Sequence, residues 1–330
     1  MELTYEEYRL YKKDLRRRFS VIGWALLAYY GIMNASVLLV ALVETFATLV
    51  QSLTSGNLND LLTGPSNAAS GVWGYFLAAA IGIVILLLWK KPAFWKKEIW
   101  AKGKPMKFAD FLPLLCVFLS GQLVYQLLMI IVESILNLFG LSAMAGMAAV
   151  SMDSSDFGLF LYGGILAPIT EELLFRGLIQ RTLMPYGKRF AILCAAFTFG
   201  IFHGNLFQAP YAFLVGLVLG YVACEYSIAW AMVLHMLNNL VLGDMIVRLT
   251  SDLPEMITGL IIWAILLPAA IVAIVVMIVK RKQIGEYRAE NPIYKVYRQC
   301  FFSCPGTIVF LVVMGISMVT TIFVMITPIS

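Results

Sequence analysis

Apolar residues in this chain come in long unbroken runs, not in the alternation of a half-buried strand or the one-sided stripe of a helix on a soluble core. A helix that crosses a bilayer needs about 20 of them in succession. Charge-free runs of this kind lie at 19 to 43, 72 to 89, 111 to 132, 256 to 279 and 306 to 327. The middle of the chain is denser. There 157 to 170 runs into Glu171, Phe190 to Cys224 divides around His203-Gly204-Asn205 and Pro210, and Tyr226 to Gly243 follows. The pattern predicts an all-α polytopic membrane protein with about nine transmembrane helices.

Composition agrees. Of 330 residues 61% are hydrophobic and 13% charged, about half the roughly 25% charged fraction of soluble domains, which excludes a soluble globule. With 25 Gly, 12 Pro and 5 Cys, collagen-like, disordered and disulfide-framework classes are excluded too. Cys116, Cys194 and Cys224 sit in apolar runs as small hydrophobes, and Cys300 and Cys304 fall at a membrane edge.

The net charge of +5 is unevenly placed. Lys and Arg cluster at 1 to 18, 90 to 107, 176 to 189 and 280 to 298, leaving only Arg248 outside. With nine spans and a cytoplasmic N-terminus, all four clusters fall on the cytoplasmic side, as the positive-inside rule requires. The basic balance therefore speaks for the lipid bilayer as partner and against nucleic acid. Loops 51 to 71 and 141 to 156, without Lys or Arg, read as external, residues 1 to 18 as a basic tail, and 280 to 300 as a charged cytoplasmic linker. The basic start followed by a 25-residue apolar run reads as a signal anchor without a cleavable signal peptide.

Ionisable side chains inside a bilayer cost about 2.5 to 3.5 kcal/mol each on insertion scales, so each calls for a partner or a function. They gather in one region: Glu171, Glu172 and Arg176 in APITEELLFRG, His203 in FTFGIFHGN, and His235, Asn238 and Asn239 in VLHMLNN. Glu172 and Arg176 are four apart and share a helix face, whereas Glu171 points about 100° away. That leaves Glu171 as the candidate general base. Pro168 removes a backbone hydrogen bond to Gly164 and loosens the helix before it. Phe199 and His203 stack four apart, and His235 and Asn239 aim an imidazole and a carboxamide toward one spot, which suits an oxyanion; Asn238 is a possible auxiliary.

The ordered set Glu-Glu-x-x-x-Arg (171 to 176), Phe-x-x-x-His (199 to 203) and His-x-x-x-Asn (235 to 239) resembles the CPBP family of intramembrane proteases, also called the Abi or CAAX prenyl endopeptidase family. The resemblance implies a four-helix protease core over 157 to 247, with accessory transmembrane helices at 19 to 156 and C-terminal ones at 248 to 330. It implies hydrolysis of peptide bonds of membrane-associated proteins or peptides, Glu171 and His203 activating water, His235 and Asn239 stabilising the oxyanion, and Glu172, Arg176 and Phe199 as structural support. Members are often classed as metalloproteases, and Glu171, His203 and His235 would be the ligands of a zinc site. A His-Glu-x-x-His signature is absent, so a glutamate-dependent mechanism without a cofactor is favoured, zinc being the alternative. The rival functions are a non-catalytic bacteriocin-immunity or peptide-binding protein and a secondary transporter, the latter disfavoured because no internal repeat is visible. A bacterial plasma membrane is the expected location.

Overall fold

The computed structural model describes residues 4–56, 69–89, 92–101, 103–144 and 157–329. The expected external loops therefore lie largely outside the described residues. Helices cover all nine expected segments: α1 (Tyr5–Ser55), α2 (Ala69–Trp89), α3 (Phe108–Asn137), α4 (Phe157–Tyr186), α5 (Lys188–Phe202), α6 (Ala209–Glu225), α7 (Ile228–Leu237, continued by wider turns over Asn238–Met245) and α8 (Glu255–Val279) come first. Then follow α9 (Arg281–Glu290), α10 (Lys295–Ser303) and the last of the nine, α11 (Pro305–Met325). This is an all-α polytopic membrane protein.

Five of the described helices, α1, α3, α4, α8 and α11, are long and apolar enough to cross a membrane unaided. Val72–Leu88 within α2, Ala209–Glu225 and Ile228–Val241 are shorter apolar helices, and α5 has 15 residues. The short members of the middle region end where their polar side chains are needed. Helix α5 stops at Phe202, directly before His203, because Gly204 takes the left-handed conformation (φ 59°) that lets the chain turn out of the helix.

Helix α1 begins on a reciprocal cap, Thr4 with Glu7, and its 51 residues rise roughly 76 Å, more than twice the hydrocarbon thickness. It packs against α2, α10 and α11. Where α1 crosses α11, Gly23 faces the backbone of Gly306, and a Cβ on either would collide with the other helix; Ser20 Oγ accepts the Gly306 N–H at 2.8 Å. Glycine is required there for backbone contact. The main core joins Phe19 and Leu26 of α1 to Phe175 of α4, Phe190 and Phe199 of α5, Leu219 of α6, and Phe301 and Phe310 beyond. Helix α3 packs on α6 and α8, and α5 lies along α6. A two-residue antiparallel pairing of Leu141–Ser142 with Thr327–Pro328 ties the end of α3 to the end of α11.

The stretch expected as a charged linker, 280 to 300, is largely helical; α9 buries no residue, and α10 is docked. In α10, Cys300 and Phe301 are buried, and Tyr297 meets the rings of Phe190 and Tyr186. Val296, Tyr297, Cys300 and Phe301 recur at helical spacing and give this charged segment one apolar face. Cys300 and Cys304 are thus core residues and not exposed at a membrane edge.

Candidate active site

Helix α4 supplies both glutamates from a turn flanked by irregular helix. Wide π-type turns over Tyr162–Leu166 precede an α-helical turn over Ala167–Glu172, and wide turns resume over Leu173–Gln180. Pro168, which has no N–H to offer Gly164, stands at this junction. Side chains of α4 then bind backbone carbonyls of α6 at helical intervals: Arg176 Nη2 to Gly216 at 3.2 Å, Gln180 Nε2 to Gly220 at 2.8 Å and Arg181 Nη2 to Ala223 at 3.2 Å. A Cβ on Gly216 would press on Ala196 and Phe199 of α5, and one on Gly220 on Gln180 of α4 and Ile192 of α5, so these glycines let α6 sit close to its neighbours.

The two adjacent carboxylates have different company. Glu172 is fully buried, and its Oε1 accepts from both Arg176 Nη1 at 2.7 Å and His235 Nδ1 at 2.9 Å. Glu171 has a side chain 26% exposed, with His235 Nε2 at 3.7 Å from its Oε2. His235 of α7 is therefore flanked by both. Arg176, counted in the sequence among the cytoplasmic basic clusters, is 1% exposed and part of this buried pair, so it contributes nothing to an aqueous positive face. Glu172 Oε2 and Arg176 Nε are buried without a hydrogen-bond partner among the described residues.

Phe199 is the shared wall. Arg176 Cζ lies 4.4 Å from its ring centroid, and the His203 and His235 rings stand edge-on to it at 4.9 and 5.7 Å. His203 Nδ1 lies 2.8 Å from Phe199 O. A carbonyl oxygen only accepts, so Nδ1 carries the hydrogen and the neutral ring keeps its lone pair on Nε2. The same reasoning places a hydrogen on His235 Nδ1, against the carboxylate of Glu172.

Asn238 and Asn239 lie where α7 widens from α to π turns. Asn239 Nδ2 donates to Gly163 O at 2.9 Å, Asn238 Nδ2 donates to Asn239 Oδ1 at 3.0 Å, and Tyr211 of α6 donates to Asn238 Oδ1 at 2.6 Å. One amide hydrogen of Asn239 is thus held by α4. Tyr211 and Gly163 are neighbours that motif spacing does not reveal; the signal for Tyr211 is only that a buried phenol must find a partner.

Among the described residues no three His, Cys, Asp or Glu side chains converge as a metal site, and His235 presents one ring nitrogen to each glutamate.

No curated protein and no solved structure shows a significant match to the chain. One family model does match, over residues 153–241, and its description is type II CAAX prenyl endopeptidase Rce1-like. The matched stretch contains both glutamates, Arg176, Phe199, both histidines and both asparagines of the site. Residues 153–241, the portion of the chain that builds this polar cluster, are thus similar to the Rce1-like family of type II CAAX prenyl endopeptidases.

Proposed function

We propose that the chain is an intramembrane endopeptidase that hydrolyses peptide bonds of membrane-associated proteins or peptides, working from a core at 157 to 247 without a resident metal. The observation that carries this reading is the division between neighbouring carboxylates. Glu172 is spent on Arg176 and His235, while Glu171 keeps an accessible oxygen beside them.

In this reading Glu171 takes a proton from water as the water oxygen attacks the substrate carbonyl carbon, and the His203 Nε2 lone pair accepts that water's other hydrogen. The carbonyl electron pair moves onto oxygen and is met by His235, donating from Nε2 in its doubly protonated form, and by the second amide hydrogen of Asn239. The oxyanion's electron pair then re-forms the C=O bond as the C–N bond breaks and Glu171 passes its proton to the leaving nitrogen, giving an amine and a carboxylic acid, whose proton His203 Nε2 takes to leave the carboxylate. Glu172 and Arg176 hold His235 in place, and Phe199 separates the two imidazoles. The N-terminus is cytoplasmic and the membrane a bacterial plasma membrane in this proposal.

The test is cleavage of a panel of membrane-anchored reporter peptides by the purified protein. Glu171→Gln keeps the shape of the base and removes its function, so turnover falls about 10²- to 10⁴-fold with accumulation preserved. Strong chelators leave the wild type active. Peptide binding by the wild type without cleavage of any panel member would instead favour the immunity or peptide-binding role.

A further inference from the structure

We propose that the N-terminal face of α1 is a binding site for an anionic phospholipid, with the lipid phosphate held by Lys13, Arg16 and Arg17. A groove of about 820 Å³ follows this face from Tyr5 to Trp24, within the size range of small-molecule sites. Its α1 residues recur every three or four positions, so they form one stripe of the helix.

The charge on that stripe is unbalanced. Arg9 is answered by Glu6 at 3.3 Å, and Arg18, on the flank, by Asp14 at 2.7 Å. Among the described residues no carboxylate pairs with Lys12, Lys13, Arg16 or Arg17. Like charges one turn apart repel, so the face lacks a counter-charge. Fixing membrane orientation needs only basic residues near the end of a span, on any side of it. Here they share a side and line a cavity.

The cavity has the polarity of a lipid. At its basic end the Arg16 guanidinium is anchored by Ser303 O at 2.7 Å, which fixes it beside the groove. Toward the apolar run, the groove passes Val21 and the half-exposed Trp24, with Pro305 of α11 lining the other side. A phosphate fits among the cations, and the acyl chains follow Val21 and Trp24 into the bilayer. A free inorganic anion would leave the apolar half empty. Basic clusters beside a span attract anionic headgroups generally; the groove adds a defined seat.

The experiment is native mass spectrometry of the full chain in dodecyl maltoside, titrated with phosphatidylglycerol or with phosphatidylcholine of the same acyl chains. Phosphatidylglycerol binds at least tenfold more tightly, Lys13→Gln with Arg17→Gln weakens it fivefold or more, and Lys280→Gln with Arg281→Gln leaves it unchanged. Lys13 and Arg17 are exposed, so the pair keeps the fold; Lys13→Arg with Arg17→Lys retains binding and controls for charge. Three results overturn the proposal: equal affinity for the two lipids, equal losses in the two Gln pairs, or displacement by glycerol phosphate at the lipid's own concentration. The readout is independent of hydrolysis, so it stands or falls apart from the proposed protease activity.

Discussion

Glu172 has two strong partners and Glu171 one distant one, and this asymmetry sets what each substitution does. Glu172→Gln leaves Arg176 without its counter-charge in a fully buried position and loosens His235. Loss of about 3 to 5 kcal/mol of stability is expected, read as a lower melting temperature and lower accumulation together with lower activity. Glu171→Gln leaves melting temperature and accumulation unchanged while turnover falls. His235→Ala and Asn239→Ala each lower turnover, by roughly the 10²- to 10³-fold typical of a lost oxyanion donor, while measured zinc content stays at zero. Stoichiometric zinc that disappears in His235→Ala would defeat this mechanism. The Glu172–Arg176 pair was legible in the sequence because both residues share a helix and its four-residue spacing. The Glu172–His235 bond was not, because it joins residues 63 apart whose meeting depends on how α4 and α7 pack. Asn239 shows the same limit: the change from α to π turns at Asn238 alters the direction that a four-residue spacing would give.

At the scale of elements, the turn after α5 fixes His203. Gly204 holds φ at 59°, a Cβ there would strike Ser317 of α11, and its carbonyl accepts from Thr321 of α11 at 2.9 Å. Gly204→Ala is therefore expected to cost about 1 to 2 kcal/mol for the left-handed backbone alone, plus the displacement of α11. A lower melting temperature together with reduced turnover would show both effects. Gly31, which has open space around it, serves as the control, since Gly31→Ala should leave both intact. Hydropathy located all nine helical segments because apolar runs and Gly or Pro breaks are local signals. It did not reveal that the linker at 280 to 300 is helical, because abundant charge hid the apolar face of α10, and it could not show that α11, outside the matched family segment, supports the turn at His203.

For the whole molecule, the arrangement of basic residues bears on orientation. With Arg176 withdrawn into the buried pair, 22 of the 24 Lys and Arg residues remain to mark one side of the membrane. A reporter fused after Ser330 is expected on the opposite side from one placed in the 90 to 107 loop; finding both on one side would mean that one of the short helices α5, α6 or α7 fails to cross. The buried pair also bears on biosynthesis. Because Glu172 and Arg176 belong to one helix, α4 carries its own counter-ion when it leaves the translocon, before α6 or α7 exists to receive it. The pair is expected to enter lipid as a neutral unit, with His235 arriving later to complete the charge set. In an insertion assay of α4 alone, exchanging Glu172 with Leu174 should therefore lower the inserted fraction although composition is unchanged, because residues two apart do not face each other and the pair would no longer meet.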